Sequence, residues 1–330
     1  MRTDVKRLGW ILLAEGKAFS DPFLESVFFT GNGRMGARGY PAYRPIRRPL
    51  DAGLFLAGFY DRISDDTKLT DFVNLPTPIW YQIRLNGRIP VFASPLHREL
   101  DLRTGLLTFS YRLETMDAWV EAREQRFFSL ARPSLLFQRL EFRGSGQLEV
   151  LAGIDHQSCN SPIPDDQVKE NTQVIQMTRF CSGMECAAGF TARYETRYTN
   201  LSLDQALFLR TAGLSQPTFV PDTGDGIGAR CSGTASDTPA VLESVCRLTT
   251  SRDVDPLLHL GAEPGWTFTE ALAENRAAWD RKRADCDIAM EGDPDIQTAL
   301  RYVIYQLVAN CSPRDPTVSI GARGLTHTRY

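Results

Sequence analysis

Asp293-Pro-Asp-Ile-Gln-Thr-Ala-Leu-Arg-Tyr-Val-Ile-Tyr-Gln-Leu-Val-Ala-Asn310 is the stretch on which the reading of this chain turns. Asp293 suits a helix N-cap, and Pro294 suits the first helical position, where its missing N–H leaves no bond unmade. Ile296, Leu300, Val303, Ile304, Leu307 and Val308 then recur at helical spacing, so one stripe is apolar and needs a partner. Pro313 and Pro316 end the helix, and a glycine-punctuated segment, Ser319-Ile-Gly-Ala-Arg-Gly-Leu-Thr326, runs on to Tyr330. No second helix follows for the stripe to pack on. The expectation is therefore the first helix of a helical domain whose remainder is absent from the chain.

Upstream, the hydrophobic period is close to two from Trp10 to about Ser251. Ile79, Tyr81, Ile83 and Leu85 alternate with Trp80, Gln82 and Arg84, and Asn86-Gly87 is a hairpin turn signal. Leu100 and Leu102 precede the turn Thr104-Gly105, after which Leu107, Phe109, Tyr111 and Leu113 resume the alternation. Further strand-like runs cover 119–130, 135–143, 148–155, 173–180, 190–198, 206–211 and 241–249. Many short strands with intervening turns predict a large antiparallel sandwich. Segments 158–166 and 216–238, rich in Pro, Gly, Ser, Thr and Asp, read as long surface loops. The character changes at Gly265. Thr267-Phe-Thr-Glu270 is a capping-box pattern, and Phe268, Ala271, Leu272, Ala278 and Trp279 give a helix one apolar face to about Ala284.

The totals set outer limits. At 330 residues, 42% hydrophobic and 23% charged, the chain has the length and composition of a soluble protein with more than one domain. A net charge of −3 gives no electrostatic case for nucleic acid or an anionic membrane, and no apolar run is long enough for a membrane span. The apolar part of the N-terminus, Leu8 to Ala14, is broken by Gly9, and Glu15, Gly16 and Lys17 stand where a signal cleavage site belongs. It reads as a first strand, and the protein is expected in the cytoplasm. The seven cysteines, Cys159, Cys181, Cys186, Cys231, Cys246, Cys286 and Cys311, form no CxxC pair and fit reduced thiols.

Local motifs point to no reaction. Gly31-Asn-Gly33-Arg-Met-Gly36 matches a dinucleotide-binding pattern, but Gly39, Pro41, Pro45 and Pro49 forbid the helix that must follow it. Its glycines are read as turn formers. Asp155, His156, Cys159, Cys181 and Cys186 match no common zinc spacing. Asp222-Thr-Gly-Asp225-Gly226 resembles the start of a calcium loop, yet Gly233 stands at its twelfth position. Asp65-Asp66 and Asp165-Asp166 are read as solvated turn residues without the burial that raises a carboxyl pKa. His97, His156, His259 and His327 have no local partner set. No residue is assigned a catalytic, cofactor-binding or metal-binding role.

Longer stretches carry a resemblance. Glu25-Ser-Val-Phe-Phe-Thr-Gly-Asn-Gly-Arg-Met-Gly-Ala-Arg-Gly39, Gly58-Phe-Tyr-Asp61, Val73-Asn-Leu-Pro76, Arg98-Glu-Leu-Asp-Leu-Arg-Thr-Gly-Leu-Leu-Thr108 and Arg126-Phe-Phe-Ser-Leu130 resemble glycoside hydrolase family 65. Ala278-Trp279, Glu291-Gly-Asp293, Ala299-Leu-Arg301 and Ser319-Ile-Gly-Ala-Arg-Gly-Leu325 continue the match in the family's order. Arg34-Met35 and Phe109 depart from it, an arginine being frequent in the family at the second position. The family contains maltose, kojibiose and trehalose phosphorylases.

The resemblance implies a mainly β fold: a galactose-mutarotase-like β-super-sandwich over 1–262, a helical linker over 263–292, and the start of an incomplete (α/α)6 barrel over 293–330. It also implies that the family's sugar-binding Phe-Trp-Asp motif, general-acid Glu and phosphate-binding residues lie beyond Tyr330. The expected function is the N-terminal part of an inverting phosphorylase of α-linked glucose disaccharides. Such a part would be inactive alone and would buttress the missing barrel, with a homodimer interface as a further role. The complete enzyme would need no cofactor and would use inorganic phosphate as co-substrate. Two other expectations are a free-standing carbohydrate-binding module with Trp80 or Trp119 on an open sheet face, and the N-terminal part of a trehalose hydrolase.

Overall fold

The computed structural model describes residues 5–16, 21–45, 53–65, 68, 70–160, 175–222, 224, 226–253, 267–312, 315, 317–320 and 324–326. Antiparallel strands make up most of it. In spatial order they are Lys6–Leu8, Ile11–Gly16, Leu96–Asp101, Leu106–Glu114, Trp119–Phe128, Leu135–Asp155, Ala240–Thr250, Ser202–Ala212, Gly189–Thr196 and Thr178–Cys186. Alternation sets their faces: on Leu96–Asp101, Leu96, Arg98 and Leu100 are buried while His97 and Glu99 are exposed. Gly105, at φ 65°, makes the turn to the next strand, and Asn86-Gly87, at φ 49° and 78°, forms the expected tight turn.

The strand Leu135–Asp155 joins the two layers. Residues up to Phe142 lie between Trp119–Phe128 and Ala240–Thr250, whereas Gly146 to Asp155 lie between Tyr81–Leu85 and Gly226–Ala235. The sequence suggested two separate strand-like runs here, 135–143 and 148–155. The chain instead crosses from one layer to the other without reversing. Gly146 takes φ 119°, and a Cβ on Gly144 would run into the Trp119 carbonyl. The expectation of a surface loop over 216–238 is overturned by Thr218–Val220 and Gly226–Ala235. Ile227, Ala229 and Cys231 alternate inward there, and the intervening small residues let the strand lie close to its neighbours.

Among the described residues three α-helices flank this core. α1, Pro22–Val27, carries the same Asp-Pro start as the late helix, with Asp21 accepting from the Leu24 amide. α2, Phe268–Cys286, begins at a complete capping box in which Thr267 and Glu270 each bond the other's backbone N–H. α3, Pro294–Asn310, is capped by Asp293, which accepts from the Asp295 amide. The expected boundaries near 262 and 265, and Pro313 and Pro316, lie outside the described residues. No described helix is long and apolar enough to cross a membrane.

Candidate functional site: the junction of sandwich and helices

α2 lays Phe268, Ala271, Asn275, Ala278 and Trp279 on the sandwich. Phe268 meets Phe127 edge-on at 5.3 Å, beside Leu135, Phe137 and Val245. Asn275 is fully buried; its amide donates to the Thr104 carbonyl at 2.7 Å and its carbonyl accepts from Leu130 N at 2.8 Å. That residue locks the helix to two strand ends at once.

α3 has two unlike sides. Thr298, Tyr305 and Ala309 are buried and Tyr302 is half-buried. The Tyr305 ring stacks on Trp279 at 5.2 Å, and its hydroxyl donates to the Phe29 carbonyl at 3.2 Å. Tyr302 donates to the Val27 carbonyl. On the other side Ile296, Val303 and Leu307 are 52%, 52% and 57% exposed. The predicted stripe is therefore split: Leu300, Ile304 and Val308 are half-buried, and Ile296, Val303 and Leu307 face away. The inner side was missed because Tyr302, Tyr305 and Ala309, at i, i+3 and i+7, were not counted with the aliphatic positions.

Gly31 to Gly36 receives the end of α3. The Gly33 amide donates to the Ala309 carbonyl at 2.7 Å, and a Cβ on Gly33, at φ 84°, would strike the Cys311 carbonyl. Asn310 then accepts from the Leu325 amide at 2.5 Å, and Leu325 buries against the strands Met35–Ala37 and Leu54–Leu56. Arg252 bridges the Gly58 carbonyl to Asp315 and Thr317. Midway along α3 Arg301 stacks on Trp10, 3.9 Å from the ring centre. The glycine motif is thus a receptor for a helix C-terminus, flanked by short strands.

Beneath the junction lies a buried polar layer. Glu25 pairs with Arg38 at 2.8 Å, Arg44 with Asp155 at 3.2 Å, and Arg34 with Asp253 at 2.6 Å. Glu124 accepts from the amides of Ala42 and Tyr43 and from the Tyr111 hydroxyl, which is itself 2.5 Å from that of Tyr81. Burial, followed by the Glu124 charge, pushes both phenols well above their ordinary range. Asn32 donates to the Ser129 and Pro133 carbonyls and accepts from Arg34 N and Met35 N. Arg98 and Arg126 both lie over the Phe109 ring, with guanidinium carbons 5.9 and 5.1 Å from its centre.

The other residues weighed from sequence are dispersed. His156 stacks on Phe180 at 4.6 Å, with Nδ1 3.5 Å from Asp222. Cys159 is buried, which pushes its thiol up to about 11, while Cys181 is exposed on the strand Thr178–Cys186. Among the described residues no three His, Cys, Asp or Glu side chains are grouped to hold a metal ion. Asp65 is solvent-facing beside Arg62, and His97 sits beside Glu15. Trp80 is buried, and Trp119 is half-buried with Arg112 stacked 4.2 Å from its ring. Asp66, Asp165, Asp166, Asp225, His259 and His327 lie outside the described residues.

A large antiparallel sandwich with its signature residues gathered where two helices dock defines a class: a sandwich domain organised around a helical junction. The model for the N-terminal domain of glycosyl hydrolase family 65 matches residues 22–282, and the chain belongs to that family. It is similar to kojibiose phosphorylase of Caldanaerobacter subterraneus subsp. tengcongensis, 41% identical over 93% of this chain and 42% of that one. Kojibiose phosphorylase of Thermoanaerobacter brockii is 25% identical over 94% and 42%, and maltose phosphorylase of Bacillus subtilis 26% identical over 93% and 42%. The chain therefore spans about two-fifths of the length of these relatives. A solved human-microbiome structure assigned as a kojibiose phosphorylase superposes with TM-score 0.79, covering 97% of this chain and 44% of that one at 15% identity, which shows the shared fold.

Proposed function

We propose that this chain is the sandwich part of an inverting α-glucoside phosphorylase, and that its role is to hold and orient a catalytic body. The single observation that carries the reading is the two-sided α3. Its inner side is fixed to the family's signature residues, and its outer side presents Ile296, Val303 and Leu307 to solvent. Large apolar side chains aligned on one helix face mark an interaction surface. Ile288, Met290 and Ile320 extend the exposed apolar set at either end of the helix. The occupant is the remainder of a longer enzyme, in keeping with relatives more than twice this length. Its substrates are α-linked glucose disaccharides, as the names of those relatives suggest, and inorganic phosphate is the nucleophile. In inverting phosphorolysis phosphate attacks the anomeric carbon while one carboxylic acid protonates the leaving sugar. The chain supplies the seat for that chemistry, working in the cytoplasm, where its seven free thiols stay reduced.

The test is to assay the 330 residues with phosphate and kojibiose, maltose or trehalose, alone and joined to the complementary part of the 41% identical relative. No glucose 1-phosphate is expected from the chain alone, and release is expected from the joined protein. Turnover by the chain alone overturns the supporting role.

A further inference from the structure

Between α2, α3 and the turn carrying Trp10 lies a small notch, walled in part by Trp10, Trp279, Lys282, Arg283, Asp287 and Arg301. Trp279 is 2% exposed, and its indole N–H has no hydrogen-bond partner; neither has the buried Nε–H of Arg301. Buried donors ordinarily find an acceptor, so two unmatched donors on residues of one wall point to an acceptor from outside the chain.

The charge is equally one-sided. Arg301 and Arg283 both lie over the Trp10 ring, with guanidinium carbons 3.9 and 5.2 Å from its centre, and Lys282 adds a third cation. Asp287 is the one carboxylate among the lining residues, and Asp280, outside the notch, engages Arg283. The two guanidiniums over one indole repel each other, Lys282 adds positive charge to the same wall, and an anion among them reverses that sign. The space is tight, with room for about one oxygen atom.

We propose that this notch binds a small oxyanion of the phosphate class. One oxygen sits among the lining donors, and the other oxygens stay at the rim beside Lys282. A water molecule would match the donors but leave the charge, whereas a doubly charged tetrahedral anion meets both and suits the arginine fork. Every lining residue belongs to this chain, so the site stands apart from the function proposed above.

Inorganic phosphate titrated into the chain at constant ionic strength, balanced with chloride, tests the assignment through tryptophan fluorescence and Tm. A saturable fluorescence change is expected, with a parallel rise in Tm. Arg301→Gln should weaken the midpoint by about tenfold or more, the loss of a charge-assisted bond. Lys282→Gln, at an exposed position, should weaken it by about threefold while leaving the phosphate-free Tm unchanged, so a folded variant is always in hand. Acetate should be much the weaker ligand. A response no greater than chloride gives, wild-type midpoints in both variants, or acetate as effective as phosphate would each overturn the proposal.

Discussion

The two sides of α3 are built on the same 17-residue rod but follow different rules. The inner side mixes aromatic, small and polar residues: Tyr302, Tyr305 and Ala309 each find a shaped receptor, by a hydroxyl bond, by stacking or by glycine-made close approach, and buried Thr298 bonds back to the Pro294 carbonyl. The outer side is plain aliphatic, with Ile296, Val303 and Leu307 half or more exposed. The difference teaches that the most hydrophobic stripe of a helix need not be the one its own domain covers. Specific docking here depends on hydrogen-bonded aromatics and backbone fit, while the aliphatic side stays open to solvent in this chain.

That contrast breaks most readily at Tyr305. Tyr305→Ala removes the ring from Trp279 and should cost about 3–5 kcal/mol in urea unfolding. A cost below about 1 kcal/mol, no more than an ordinary substitution, would mean that the inner side is not the anchoring one. Gly33→Ala comes next, at about 2–3 kcal/mol, combining left-handed strain with the lost bond to Ala309. Gly87→Ala is its control: φ is 78° but the space is open, so only the strain of about 1 kcal/mol should appear.

Alkaline titration sharpens the comparison further, because the inner side carries ionisable phenols and the outer stripe none. Burial pushes the Tyr302 phenol up to about 12. An unfolded tyrosine ionises near pH 10, so this contribution is complete below pH 10 and is lost as pH rises toward 12. Stability should fall there by about 1.4 kcal/mol per pH unit for this group, and Tyr302→Phe should flatten the curve by that amount. The smallest effect belongs to the outer side. Val303→Gln and Leu307→Gln should each change the stability of this chain by no more than about 0.5 kcal/mol, measured in the same denaturant series.

Much of the sandwich was legible because local chemistry and tertiary need agree. Tyr81, Ile83 and Leu85 alternate with Gln82 and Arg84 as predicted, Asn86-Gly87 turns as its φ values require, and Thr267-Glu270 and Asp293-Pro294 begin helices where their capping chemistry says. The strand Gly226–Ala235 was hidden, since glycines and serines that mimic a loop are there to let neighbouring strands approach. The layer-crossing at Gly144 to Gly146 was hidden for the same reason, as a turn signal and a sheet corner use the same residue. α1 was overlooked although Asp21-Pro22 repeats the Asp293-Pro294 signature. At the junction, the sequence marked Gly33, Trp279 and Arg301 through the family resemblance without saying what they touch. Their partners, Cys311, Tyr305 and Trp10, are separated from them by 26 to nearly 300 positions, a pairing that periodicity cannot reveal.

The outer side of α3 as the seat of a catalytic body is tested most directly by footprinting Val303→Cys and Leu307→Cys with a maleimide, read site by site by mass spectrometry. Both thiols should react rapidly in this chain. Both should slow by about tenfold or more when the chain is joined to the complementary part of its 41% identical relative, as burial of a thiol demands. Equal labelling rates in an active joined enzyme would contradict the account.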